Sequence, residues 1–161
     1  MTPKIALKMD TGEPSELQHV RRDLLKRRLR RGDTVFTAYT QAHPVGYLFA
    51  ARESAWVGEI DTRLRIQSGD IYFYDAFTYP AYRGMRIYPW LLTCAARYYG
   101  EQGYKTALIF TTSENRSSAR AIRNAGFSCY QRIRFYDLWG LKMWHYTSRK
   151  NHVKSYCAIE N

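Results

Sequence analysis

Hydrophobic and polar positions along the chain change period at definite places, and those places divide it into elements. Residues 4–9 alternate loosely, as a strand does, until Thr11-Gly12-Glu13-Pro14 breaks the pattern. From Ser15 the period lengthens. Leu17, Val20, Leu24 and Leu29 share one face of a helix predicted over about 16–31, opened by the reciprocal capping pattern Ser15-Glu16-Leu17-Gln18 and closed at Gly32. Residues 35–40 and 45–51 are β-branched and aromatic runs joined by Gln41-Ala42-His43-Pro44, which predicts a hairpin. Residues 59–66 alternate, as a half-exposed strand or an extended loop would. Residues 71–78 predict a further strand, which Tyr79-Pro80 closes because proline cannot continue a central ladder. Ile87, Leu91, Leu92, Ala95 and Tyr99 recur at helical spacing, so a helix begins near Tyr88, with Pro89 in its first turn, and ends at Gly100 and Gly103. A buried strand over 105–112 follows. Asn115 then caps a short helix with Ala119, Ile122 and Ala125 on one stripe and Gly126 at its exit. Two last strands, 129–136 and 141–147, are parted by Asp137-Leu138-Trp139-Gly140.

That order, with a helix crossing between the strands at Ile71 and Ala107, implies a mixed α/β (α+β) fold with one parallel pair in an otherwise antiparallel sheet of about seven strands. At 161 residues the chain is long enough for one domain with its own core, taken as 1–161. Cys94, Cys129 and Cys157 are odd in number and lack CxxC spacing, which suggests neither a disulfide framework nor a zinc site and fits a reducing cytoplasm. No apolar run approaches a membrane span, and His19, His43, His145 and His152 have no metal-ligand spacing, so no metal is implied.

Charge adds a question. A formal net charge of +11 is compatible with nucleic acid, an acidic membrane surface, or an anionic cofactor and substrate. Arg21, Arg22, Lys26, Arg27, Arg28, Arg30 and Arg31 crowd the polar face of the first helix. Without interleaved aromatic residues, this run reads better as a solvated face complementing the helix dipole than as a nucleic-acid or membrane-surface helix.

The most telling stretch is Tyr82-Arg83-Gly84-Met85-Arg86-Ile87-Tyr88-Pro89, a short glycine and arginine loop between a strand and a helix N-terminus, where free backbone N–H groups and the dipole favour an anion such as phosphate. It resembles the pyrophosphate loop of the GNAT superfamily, the acetyl-CoA-dependent N-acetyltransferases. Arg83 fills the first place of that pattern, whereas Arg86 stands where the family puts a required glycine and Tyr88 where it puts Gly or Ala. A second block, Asn115 to Phe127, is similar to the family's Asn, short helix and Gly-Phe signature, and the resemblance covers roughly 35–146. It implies that the parallel pair splays at the sheet's centre to admit the pantetheine arm of acetyl-CoA. Backbone groups of Phe77 and Thr78 would then pair with its amides, Arg83, Gly84, Met85, Arg86, Ile87 and Tyr88 would hold the pyrophosphate, and Asn115 and Ser118 would contact cofactor. Where many members carry a tyrosine that protonates the leaving thiolate, this chain has Ile122.

Acetyl transfer to an amine needs a base, and Asp75 is the acidic residue nearest the expected acetyl position, with Asp70 and Glu59 as substitutes; it could equally pair with an arginine. Tyr130 is the replacement acid. Cys129 lacks a neighbouring histidine to activate it as a nucleophile. Trp139, Trp144, Tyr136 and Tyr146 cluster on the final hairpin as a pocket wall, a sheet-edge core or a homodimer surface. The resemblance thus implies transfer from acetyl-CoA to a primary amine of a small molecule, an anionic amino sugar or amino acid suiting the charge best. The competing hypothesis is a catalytically silent module that binds CoA or nucleic acid.

Overall fold

The computed structural model describes residues 5–10, 17, 19–41 and 43–148. A five-stranded sheet forms the middle of the fold. It is built from β1 (Ile5–Asp10), β2 (Thr34–Thr40), β3 (His43–Ala51), β6 (Asp70–Thr78) and β7 (Thr106–Ile109), hydrogen-bonded in the order β1-β2-β3-β6-β7. All neighbours are antiparallel except β6 and β7, whose parallel pairing is made possible by α2 (Ile87–Glu101) crossing between them. Two antiparallel hairpins stand apart from this sheet, β4 (Ser54–Val57) with β5 (Thr62–Arg65) and β8 (Gln131–Leu138) with β9 (Leu141–Ser148).

The central strands are apolar on both faces because both are covered. On one face Phe36, Ala38, Val45, Leu48, Ala50, Ile71 and Phe73 meet Ile87, Leu91, Leu92, Ala95 and Tyr99 of α2 and Ile122 of α3 (Arg116–Asn124). On the other, Val35, Tyr47 and Phe49 pack on Leu17, Val20 and Leu25, the last from α1 (Arg22–Arg30). Further along that face Ala51, Tyr72 and Leu108 join Ala55, Val57 and Ile60, with Ile133, Phe135 and Trp144 of the last hairpin packed against them.

Several expectations are corrected. The first helix begins at Arg22, not near Glu16. Arg21 sits extended at its N-cap with φ −58° and ψ 136°, and Leu17 and Val20 reach the core through a turn in which the Val20 N–H donates to the Leu17 carbonyl at 3.0 Å. Their apolar spacing satisfied burial without requiring a helix. Ser15, Glu16 and Gln18 of the capping pattern lie outside the described residues. The strand Ser54–Val57 went unread because four residues are too few to show a period, although Ala55 and Val57 point inward while Trp56 is exposed. The alternating stretch after it is part turn, part strand. The parallel pair lies at the β7 edge of a five-stranded sheet instead of the centre of a seven-stranded one, because the last hairpin packs by its side chains and not by a ladder to β7.

Gly46 on β3 marks the closest approach in this framework. A Cβ there would lie 2.9 Å from the Phe77 carbonyl oxygen and 3.2 Å from the Ile87 side chain. Gly46→Ala is therefore expected to lower stability by about 1–3 kcal/mol. Gly100→Ala in α2, where a Cβ meets nothing within 4 Å, is expected to raise it by roughly 0.5–1 kcal/mol. Urea unfolding midpoints of the two variants should move in opposite directions. Burial also raises the tyrosine pKa at Tyr47, Tyr72, Tyr74, Tyr88 and Tyr99, and lifts that of Tyr130 to about 12. A folded pKa above the unfolded value binds its proton more tightly in the native state. That stability is complete below about pH 10 and declines as pH rises from there through the folded values. Urea midpoints should hold up to about pH 10 and fall above it.

Candidate active site

Two irregularities in β6 make the site. Phe49 is opposite Tyr74, yet Tyr47 is opposite Phe77, so Asp75 and Ala76 together face the single residue Leu48 in a β-bulge. Asp75 holds φ 45°, a left-handed conformation that is costly for a residue with a Cβ. On the other side, the parallel ladder runs only from Asp70↔Thr106 to Phe73↔Ile109. From Tyr74 onward β6 keeps β3 and has no ladder to β7. Bulge and end of pairing fall together, so the strands part at the residue that carries the carboxylate.

Beyond the bulge, the Tyr79 N–H donates to the Val45 carbonyl at 3.0 Å. Alternation along the strand then directs the backbone groups of Phe77 toward β3 and those of Thr78 toward the unpaired side. Of the two strand positions expected to face a pantetheine arm, Thr78 is the one with that orientation. Its carbonyl accepts from Arg83 Nε at 3.2 Å, and the Arg83 guanidinium lies 5.8 Å from the centre of the Phe77 ring.

After Thr78 a short 3-10 turn, Pro80–Tyr82, leads to the loop at Arg83-Gly84-Met85-Arg86. Gly84 adopts φ 82°, with nothing within 4 Å of where a Cβ would stand, and Met85 is exposed. Arg86 is the N-cap of α2 with φ 59° and ψ 21°. This explains the family's glycine at that place: the turn requires a left-handed residue, which glycine supplies without strain and Arg86 supplies at a cost of about 1 kcal/mol. No side chain caps the first turn of α2, so the N–H groups of Ile87 and Tyr88 are left for an external acceptor, while Pro89 has none to offer. An uncapped helix N-terminus beside an open glycine fits a pyrophosphate.

Tyr88 does not fill that corner. Its ring packs against the α2 core, and its hydroxyl accepts from Ser118 Oγ at 3.5 Å, tying α2 to α3. Burial raises its pKa, outweighing the lowering effect of the bond to Ser118, so it stays protonated at neutral pH. Asn115 caps α3, accepting from the Ser118 N–H at 3.1 Å and from Ser117 Oγ at 3.0 Å, which engages its carbonyl oxygen within the chain. Ile122 is in the core.

The candidate acid and base are not brought together. Tyr130 lies near Asp70, whose charge helps to raise its pKa, at the start of β6, roughly 16 Å along the strand from Asp75. Asp75 instead faces α1, where Arg28 forms an ion pair with it while lying over the rings of Phe49 at 4.5 Å and Tyr74 at 5.0 Å. One turn on, Arg31 pairs with buried Asp33 at 2.5 Å, and the Tyr74 hydroxyl donates to the same carboxylate at 2.6 Å. In the sequence Arg28 is one of many cations on a solvated face and His19 a histidine without metal-ligand spacing; in the fold the His19 ring lies 4.3 Å from that of Phe77 and 5.2 Å from that of Tyr79. No local pattern in the sequence signals either, since both reach β6 only when α1 packs on the sheet. Cys129 is exposed and bonds weakly to its neighbour's backbone, Sγ to the Gln131 carbonyl at 3.5 Å. Among the described residues no group of three or more His, Cys, Asp or Glu side chains is placed to hold a metal ion, and no helix is long and apolar enough to cross a membrane.

Solved structures share this fold. The aminoglycoside acetyltransferase AAC(6')-Iy, in complex with the bisubstrate analog CoA-S-monomethyl-acetylneamine, superposes with a TM-score of 0.62 over 83% of this chain and 97% of its own, at 18% identity. The aminoglycoside acetyltransferase meta-AAC0020 from an uncultured soil metagenomic sample, in complex with trehalose, gives 0.60 over 82% and 94% at 15% identity. A transcriptional regulator from Bacillus halodurans C-125 gives 0.56 over 78% and 93% at 12% identity. No family model and no curated protein sequence matches the chain. The fold is therefore that of the GNAT acetyltransferases, as the two sequence motifs implied.

The Arg28 and Asp75 pair can be tested directly. Allowing for solvent screening, Arg28→Ala and Asp75→Asn are each expected to cost about 1 kcal/mol, with the double variant costing clearly less than the sum. Urea unfolding of the four proteins measures that coupling; strict additivity would mean the pair contributes nothing to stability.

Proposed function

We propose that the chain is an acetyl-CoA-dependent N-acetyltransferase acting on a primary amine of a small, negatively charged molecule. One observation carries the reading: the unpaired side of β6 beyond Phe73, the carboxylate of the bulge and the uncapped N-terminus of α2 lie along one continuous stretch, 74–88. The structural neighbour AAC(6')-Iy, whose solved complex contains a CoA conjugate, supports it.

Bound acetyl-CoA supplies an activated acyl carbon. The chain's own residues do the rest. The N–H groups of Ile87 and Tyr88, with the dipole of α2, hold the diphosphate, and Arg86 adds charge at the same turn. Thr78 presents its backbone N–H along the pantetheine arm, its carbonyl being engaged by Arg83 Nε. Asp75 accepts the proton that the amine loses as its nitrogen bonds to the acyl carbon and the carbon–sulfur bond breaks. The departing sulfur takes a proton from a phenol or leaves as thiolate, which is feasible for a moderate acid. Tyr88 stands at the junction of α2 and α3 and is better placed for this than Tyr130. Arg28, flanked by aromatic rings beside Asp75, favours an acceptor whose amine is accompanied by a carboxylate or phosphate, and the net charge of +11 steers such a molecule inward. The silent-module reading draws on the missing phenol at Ile122. We place the activity in the cytoplasm.

Mixing the protein with acetyl-CoA and a panel of amines, and following free thiol, tests the reading. Turnover should be fastest with amino acids or anionic amino sugars, and Asp75→Asn should lower kcat by about a hundredfold or more. CoA should raise the melting temperature of both proteins. Absence of both thiol release and a thermal shift would dismiss the assignment, and a shift without release would select the silent module.

A further inference from the structure

The β8 and β9 hairpin has an outward face that no other described residue is seen to cover, and its side chains are graded along its length. Cross-strand pairs Leu138↔Leu141 and Tyr136↔Met143 occupy the end by the turn, and Arg134↔His145 and Arg132↔Thr147 follow on the same face. Leu138 and Leu141 are 54% and 64% exposed, and Trp139 at the tip is fully exposed. The other face is anchored. Trp144 Nε1 donates to the Ile60 carbonyl at 2.9 Å, Lys142 pairs with Asp61, and Phe135 and Trp144 pack with their ring centres 5.5 Å apart.

The tip residue is the least expected. Trp139 and Gly140 form a two-residue turn with φ 51° and 87°. Such a turn favours asparagine or aspartate followed by glycine, and a tryptophan in the left-handed region is strained. Neither the turn nor water favours an indole here, so the position points to an external apolar contact.

We propose that this hairpin docks the protein on an anionic lipid bilayer, with Leu138, Trp139 and Leu141 inserted at the interface and Arg134 and Arg132 on the headgroup phosphates. Dimensions agree. From Tyr136 to the turn is roughly 10 Å of strand, the depth to which interfacial segments bury their apolar face, and Arg134 follows one pair further out. Tryptophan and tyrosine are the residues that settle at this boundary. Charge decides the occupant. A second copy would bring another +11 chain and another cationic band against the first, whereas an anionic surface attracts both. The proposal is independent of the acetyltransferase reading.

Co-sedimentation with phosphatidylcholine vesicles, with and without phosphatidylglycerol, tests it. The full chain should pellet with the anionic vesicles. Trp139→Asn creates the turn's favoured Asn-Gly pair, so it should fold at least as stably while binding about tenfold less. Arg132→Glu with Arg134→Glu should weaken binding by on the order of tenfold or more. The proposal is overturned if the wild-type chain ignores anionic vesicles, or if Trp139→Asn binds them as well as wild type, which would assign the contact to α1. It is equally overturned if the chain is a dimer in solution by sedimentation velocity and Trp139→Asn makes it a monomer, because the hairpin would then be a subunit contact.

Discussion

The bulge at Asp75 is the constraint on which the rest of this structure turns. One extra residue on β6 breaks its register with β3, and the same stretch loses its ladder to β7, so a strand buried at its start becomes a one-sided edge at its end. Such an edge presents unpaired backbone groups, which an extended ligand can satisfy as an added strand would. Gly46 permits this arrangement by letting Phe77 approach β3 closely just past the bulge. The left-handed backbone at Asp75 is strain kept in place by packing on both faces, from α2 below and α1 above.

Catalytic potential follows from what surrounds that edge. The strand runs directly into the loop that delivers α2 with its first turn uncapped, so the same fifteen residues provide an amide edge, a carboxylate and a helix dipole. Arg28 reaches the carboxylate from a different element and arrives part-buried over the rings of Phe49 and Tyr74, while Asp75 itself stays open to solvent. The α1 cations are thus divided. Arg28 and Arg31 are engaged with Asp75 and Asp33, Arg21 with Asp23, and Arg27 and Arg30 lie on the solvent side.

The neighbouring structures include aminoglycoside acetyltransferases and a transcriptional regulator at 12–18% identity, so the fold is shared while the acceptor chemistry is not carried with it. In this chain Arg86 caps α2 in the left-handed conformation, Tyr88 turns toward α3, Ile122 lies in the core and Trp139 stands exposed at a hairpin tip.

Much of this was written in the sequence itself. The strand closed by Tyr79-Pro80, the helix with Pro89 in its first turn, the Asn115 cap and the hairpin about Gln41 are local matters, set by backbone sterics and by apolar periods long enough to read. The junction between the loop at Arg83 and the uncapped start of α2 was legible for the same reason. Tertiary structure alone decided the remainder. Leu17 and Val20 show a helical spacing but reach the core from a turn, because burial asks only that a side chain arrive. Four-residue strands such as Ser54–Val57 are fixed by their partner and not by their own pattern. Arg28 meets Asp75 across 47 positions of sequence, Tyr130 lies near Asp70 at the start of β6, and the backbone groups of Phe77 and Thr78 point to opposite sides of that strand. Those outcomes depend on how helix and sheet pack and on where a ladder slips by one residue, and no short stretch of chain encodes either.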